Sequence, residues 1–269
     1  MAIEAVDKVF AGSIPEIYQS RMVPLIFQPY ADDIARRLAG RRVSRVLEIA
    51  CGTGVVTRAL DATLGKDVAI VATDLNPAML EQAQEGGTRR PIEWRTADAM
   101  SLPFGDGSFD CVVCQFGAMF FPDRAHAYAE VRRVLSPGGI FLFNVWDRIE
   151  DNEFADVVTG ALSGLFPKDP PRFMARTPHG YHEADLIARD LASAGFGVPH
   201  LETVSARSVA PTPLDVAIAY CQGTPLRSEI DARGSLEEAT QVAARAVEAR
   251  FGTGPLDAKI QAIVVTVER

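Results

Sequence analysis

Apolar residues in this chain recur with two periods, and the two alternate. Val46, Leu47 and Ile49 form a short apolar run, and Val55, Val56, Ala59, Leu60 and Leu64 follow at helical spacing. Residues 67–74, DVAIVATD, are a nearly continuous apolar run closed by an acid, which suits a parallel strand buried on both faces. Asn76 and Pro77 then open a helix, with asparagine as N-cap and proline at the first helical position. A third strand is predicted over 92–96 and a fourth over 111–114. Pro122 and Asp123 start a helix with Tyr128, Val131, Val134 and Leu135 on its inner face. Pro137 and the glycines after it stop that helix and turn the chain into a fifth strand over 140–145. Alternation of this kind predicts an α/β fold, Rossmann-like and doubly wound around a mostly parallel sheet.

The flanks are more irregular. Val23, Ile26, Phe27, Tyr30, Ile34 and Leu38 make an amphipathic stripe with Arg36 and Arg37 on its last turn; Pro15 and Pro24 interrupt it, predicting two short helices. Beyond residue 147, Phe154, Val157, Val158, Leu162 and Leu165 predict a helix, followed by a proline-rich loop over 167–178. A helix over 183–194 ends at Gly195, and a strand follows over 201–209. Residues 211–257 carry two helical patterns, the second opened by a capping box at Ser235 and Glu238. Residues 260–267 read as one more strand.

Charge and cysteine usage narrow the partners. With 27 basic against 35 acidic residues the net charge is −8, and no basic stripe is visible, which argues against a nucleic-acid backbone. No apolar run reaches the length of a membrane span. The first ten residues, MAIEAVDKVF, carry acids and lack an apolar signal core, so a cytoplasmic protein is expected. Cys111 and Cys114 make a C-x-x-C, but an odd separation along a strand puts them on opposite faces, and no second pair stands at zinc-like spacing. Buried free thiols and no metal site are the expectation.

The chemistry centres on residues 50–54, ACGTG, between the first strand and helix. Glycines let a ligand approach the backbone, and the new helix aims free N–H groups at it. The dinucleotide pattern G-x-G-x-x-G fails here, because Thr57 stands at its third position. The observed order, Glu48-x-Ala50-x-Gly52-x-Gly54, resembles motif I of the class I S-adenosylmethionine (SAM)-dependent methyltransferases. That family usually has glycine where Ala50 stands, and alanine fits if its φ stays negative. Asp74, at the tip of the second strand, is placed to accept hydrogen bonds from both ribose hydroxyls, as acids also do in NAD-binding folds. Asp98, after the third strand, resembles the family's acid for the adenine amino group, with Ala97 and Ala99 beside it. Residues 130–139, EVRRVLSPGG, resemble the family's E-x-x-R-V-L-x-P-G-G. Together these features resemble the ubiquinone/menaquinone-methyltransferase-like, or type 11, branch over residues 43–146.

The resemblance implies SAM as cofactor, S-adenosylhomocysteine (SAH) as product, and methyl transfer to a small, largely apolar or aromatic acceptor. It implies a seven-stranded sheet whose last strand is antiparallel, under a helical cap. The expected division is an N-terminal lid over 1–40, a SAM-binding core over 41–146 and a cap insertion over 147–180. A core helix and strand over 181–210, a helical cap insertion over 211–257 and a final strand over 258–269 complete it. Cofactor contacts are expected from Tyr18, Arg21, Glu48, Ala50, Cys51, Gly52, Gly54, Asp74, Leu75, Met79, Ala97, Asp98, Ala99, Gln115 and Phe116, with Arg21 meeting the cofactor's carboxylate. Phe27, Phe120, Trp146 and Tyr181 are candidates for the acceptor pocket, and His179 and His182 for a base. Phe27, Tyr30, Phe154, Phe166, Phe173 and Tyr220 supply aromatics with which at least two of the three cap segments are expected to wall a cavity. The chain is expected to work as a monomer or homodimer. Two other readings stay open: a SAM- or SAH-binding protein without turnover, and an NAD or nucleotide-sugar enzyme on a similar sheet.

Overall fold

The computed structural model describes residues 12–269; the N-terminal stretch read above for a signal segment, and the first residues of the expected lid, lie outside that range. The strands are β1 (Arg45–Glu48), β2 (Ala69–Asp74), β3 (Glu93–Thr96), β4 (Phe109–Gln115), β5 (Leu135–Trp146), β6 (His200–Ala210) and β7 (Leu256–Glu268). They form one sheet in the order β3-β2-β1-β4-β5-β7-β6, in which only β7 runs against its neighbours. The order reverses between β1 and β4, and the crevice outside the strand tips at such a switch is where open α/β sheets bind ligands.

The central strands are apolar on both faces because helices cover both. Cys111, Val112, Val113 and Cys114 on β4 are fully buried, as are Phe141 and Phe143 on β5. Each such Val or Phe side chain contributes about 1.5–3 kcal/mol by leaving water. The two cysteines are free thiols, and burial pushes both up to about 12.

In the N-terminal region, α1 (Ile14–Ile17), a wide-turned helical stretch (Tyr18–Phe27) and α2 (Gln28–Leu38) follow one another without a break. The two short helices expected from Pro24 are therefore corrected to one run. Proline has no N–H to donate, and the backbone adapts by widening its turns: the N–H of Gln28 reaches Val23, five residues back. This run is fastened to the edge strand β6, where Tyr30 donates its hydroxyl to the Val204 carbonyl at 3.0 Å and Ser208 donates to the Leu25 carbonyl at 2.8 Å.

The remaining helices are α3 (Val55–Thr63), α4 (Pro77–Glu85), α5 (Arg124–Val134), α6 (Glu153–Leu165), α7 (Phe173–Arg176), α8 (Ala184–Ser193), α9 (Pro213–Gln222), α10 (Leu226–Asp231) and α11 (Leu236–Phe251). Residues 211–257 thus hold three helices rather than two, the extra one being the six-residue α10, too short to show a period. Ser235 caps α11 by accepting the Glu238 N–H at 3.2 Å. α11 packs on α9 and α6.

Candidate functional site

The turn after β1 is built from alternating left-handed residues: φ is +52° at Ala50, +55° at Gly52 and +79° at Gly54. The expectation of a negative φ at Ala50 is overturned; the turn needs the left-handed conformation there, and alanine bears a strain of roughly 1–2 kcal/mol in it. Cys51 N–H donates to the Thr73 carbonyl and Gly54 N–H to the Cys51 carbonyl, both at 2.9 Å, so turn and β2 tip form one unit. The Asp74 carboxylate completes it, accepting from the Gly52 N–H at one oxygen and the Asn76 N–H at the other, each at 2.8 Å. Burial raises the Asp74 pKa above the usual carboxylate value, and those N–H groups partly oppose the rise.

Gly52 and Gly54 do different work. A Cβ on Gly52 would meet only Met79 Cε, at 3.6 Å, so the space above it is open to a ligand. A Cβ on Gly54 would crowd Ala83, Arg58 and Trp94 at 3.1–3.2 Å; this glycine lets α3 and α4 close on each other and does not wall the cavity.

Over the strand tips lies a cavity of about 880 Å³, counting its open mouth. Asp98, Ala97 and Ala99 wall one end, Asp74, Leu75, Asn76 and Met79 the middle, and Ala50, Gly52 and Tyr18 the stretch beside the turn. Gln115, Phe116, Gly117, Phe120, Phe121 and Pro122 form the far end, off β4. Eleven of the expected cofactor residues and Phe120 of the expected acceptor residues are thereby brought together: the eleven are Tyr18, Ala50, Gly52, Asp74, Leu75, Met79, Ala97, Asp98, Ala99, Gln115 and Phe116. Phe121 joins Phe116 and Phe120 as the aromatics off the β4 tip that the sequence offers as a pocket wall, whereas Asn76, Gly117 and Pro122 go unmarked for the site, although each stands within one or two residues of a position the sequence singles out.

Gln115 Nε2 donates to the Phe27 carbonyl at 3.3 Å, while its Oε1 is buried with no partner among the described residues. Phe116 holds φ at +50°, and its N–H donates to Asn144 Oδ1 at 3.0 Å. Gly117 has no room for a side chain, since a Cβ would lie 2.5 Å from Ala50 Cβ and 2.8 Å from Cys114 Sγ.

Several expected site residues lie elsewhere. Glu48 sits beneath the turn, fully buried, where Thr57 donates to it at 2.5 Å; burial raises it to about 8. Its distance from the cavity follows from β-strand alternation, and it props the turn. The Cys51 thiol packs on Ala72 and Leu80 behind the turn. Arg21 is paired with Asp215 of α9 on the outer surface, so the carboxylate it meets belongs to the protein. Phe27 and Trp146 form a second aromatic layer: Phe27 stacks on Tyr18 at 4.9 Å, and Trp146 on Phe116 at 3.8 Å and 3°. Tyr181 is buried between α5 and α8, donating to Asp190 at 2.8 Å with the Arg124 guanidinium over its ring.

His179 is buried with Nδ1 on the Asp147 carbonyl at 2.8 Å, and burial lowers it to about 4. His182 Nδ1 binds the His179 carbonyl at 2.9 Å. Neither ring walls the cavity, which corrects their candidacy as a base. Of the three expected cap segments, only the N-terminal one reaches the cavity among the described residues, through Tyr18; Tyr30, Phe154, Phe166, Phe173 and Tyr220 pack behind it or elsewhere.

A family model described as a methyltransferase domain matches residues 47–143. The chain is 32% identical over 168 residues to the demethylmenaquinone methyltransferase of Thermus thermophilus, a match covering 57% of this chain and 74% of that enzyme. It is 40% identical over 106 residues to the ubiquinone/menaquinone biosynthesis C-methyltransferase of Hahella chejuensis, covering 38% of this chain and less than half, 43%, of that protein. The solved structure of the YcgJ protein from Bacillus subtilis shares the fold, with a TM-score of 0.57 at 20% identity over 90% of this chain and 98% of that one. With the turn, the two strand-tip acids and the sheet order in place, the chain belongs to the class I SAM-dependent methyltransferases of the ubiquinone/menaquinone C-methyltransferase type.

Proposed function

We propose that this chain moves the methyl group of SAM onto a small, largely apolar or aromatic acceptor held at the β4 end of the cavity. The observation that carries the reading is the gradient of wall chemistry across the strand tips. Carboxylates stand at Asp98 and Asp74, the bare turn backbone at Gly52, and then Phe116, Phe120, Phe121 and Pro122. The residues fit the cofactor on two structural counts: the space over Gly52 is open, and a buried acceptor atom at Gln115 awaits a donor. Asp98 takes the adenine amino group, Asp74 the ribose hydroxyls, and Tyr18 covers the turn from above.

Bound SAM supplies a methyl already activated by the positive sulfur, so the protein's share is alignment and exclusion of water. Tyr18, backed by Phe27, and Phe116, backed by Trp146, give the methyl-bearing end rigid apolar walls. The N-terminal segment is the lid, and the segment over 147–180 backs the β4 end of the cavity, with Phe173 set 6.4 Å from Phe120.

The names of the relatives make a demethylated quinol the first acceptor to try. Methyl-labelled SAM is incubated with the protein and either demethylmenaquinol or a metabolite extract. Label in a small apolar product supports the reading. SAH binding without transfer to either would favour a cofactor-binding protein without turnover.

A further inference from the structure

Gln115 is the last residue of β4, and its side-chain amide is locked in one orientation. Nε2 donates to the Phe27 carbonyl, and turning the amide over would set two oxygens 3.3 Å apart. Oε1 is left buried, with no hydrogen-bond partner among the described residues, on a residue only 9% exposed that walls the cavity. An acceptor atom stranded in this way destabilises the empty site until a donor arrives.

The sheet order says which part of the ligand brings the donor. The tips run β3, β2, β1, β4, so Asp98, Asp74, the Ala50–Gly52 turn and Gln115 lie in that order over three strand spacings, about 14 Å. A nucleoside with its base at Asp98 and its ribose at Asp74 has its sulfur-bearing chain over the turn, and that chain ends beside Gln115. The surroundings suit a cation: no Lys, Arg or His walls the cavity among the described residues, whereas Asp74, Asp98 and aromatic faces do.

We infer that Gln115 Oε1 receives a hydrogen bond from the α-ammonium group of the bound cofactor, and so distinguishes SAM and SAH from nucleosides that lack the amino-acid end. The inference rests on the cofactor placement proposed above.

Calorimetry tests it without any acceptor. Three probes are used: SAH, its deamino analogue, which keeps the carboxylate, and 5′-methylthioadenosine, which lacks the whole amino-acid group. In the unmodified protein, removing the amino group weakens binding about tenfold or more. Gln115→Leu weakens SAH by a similar factor, leaves methylthioadenosine within twofold, and erases the preference for SAH over the deamino analogue. Gln115→Glu, which retains the acceptor, keeps that preference and serves if the leucine variant does not fold. Losses that simply add, or equal losses for all three probes, overturn the assignment. If the unmodified protein binds neither SAH nor methylthioadenosine, the cofactor placement itself fails and the assignment with it.

Discussion

Ala50 and Gly117 face each other across the β1 and β4 tips, and their packing makes a quantitative prediction about one pair of residues. A Cβ built on Gly117 lies 2.5 Å from Ala50 Cβ and 2.8 Å from Cys114 Sγ, where ordinary carbon contacts are about 3.5–4.0 Å. Gly117→Ala therefore overpacks a site whose backbone is already tied down by the turn, and should cost about 2–3 kcal/mol. Ala50→Gly alone relieves roughly 1–2 kcal/mol of left-handed strain and returns about 0.4–1 through the freer unfolded chain, so it should leave stability unchanged or raise it by up to about 1.6 kcal/mol. In the Ala50→Gly background the closer of the two collisions is gone. Gly117→Ala should then cost at least about 1 kcal/mol less than it does alone. Urea unfolding of the four proteins, followed by the fluorescence of Trp94 and Trp146, gives the coupling. Additivity within about 0.5 kcal/mol would mean that the two residues do not constrain each other, and would refute the account of why glycine stands at 117.

Asp74→Ala removes the acceptor for Gly52 and Asn76 as well as the proposed ribose contact. It should weaken SAH about ten- to hundredfold in calorimetry and lower the melting temperature of the free protein; a loss below threefold would show that the carboxylate points elsewhere. SAH should stabilise the unmodified protein in a thermal-shift assay and NAD should not. Gly52→Val, which fills the open space over the turn, should abolish the SAH shift; an unchanged SAH affinity in a folded variant would displace the cofactor from this turn. His179 titrates at about 4 in the folded chain against an ordinary value near 6.5, so its neutral form fits the fold and its charged form does not. Between those values the unfolded chain binds the extra proton, so the histidine's own share of stability should fall as pH drops from about 6.5 to about 4, by roughly 3 kcal/mol, while Glu48, raised to about 8, shifts stability the opposite way down to its ordinary value near 4.5. The difference in unfolding free energy between the unmodified protein and His179→Phe should therefore change by that amount across the window.

The parallel strands and the turn were legible because each announces itself locally. Residues 67–74 are almost continuously apolar because both faces of β2 are covered over 70–73, and the acid that ends the run stands at the tip because the strand stops there. What escaped the sequence depends on distance. Arg21 reads as a cation free to meet a ligand until the fold brings Asp215 to it from α9. Phe27 and Trp146 are as aromatic as Tyr18 and Phe116, but only packing decides which ring faces the cavity and which backs it. Glu48 was recognisable as part of the motif, yet its work beneath the turn follows from burial. Pro24 signals a break in isolation, and widened turns held against β6 absorb it.

The placing of β7 bears on how the chain is made. β6 is complete at Ala210, but its partner strand among the described residues starts at Leu256, on the other side of three helices. On the ribosome, β6 and the open edge of β5 must therefore wait, unpaired, while residues 211–255 are synthesised. The two halves of the sheet join only when β7 slides between them. An eleven-residue strand whose side toward β7 is bare is a template for other nascent chains. Slow decoding or a pause between α9 and β7 should then lower the yield of soluble protein more than the same pause between β1 and β4, where each new strand finds its neighbour already in place.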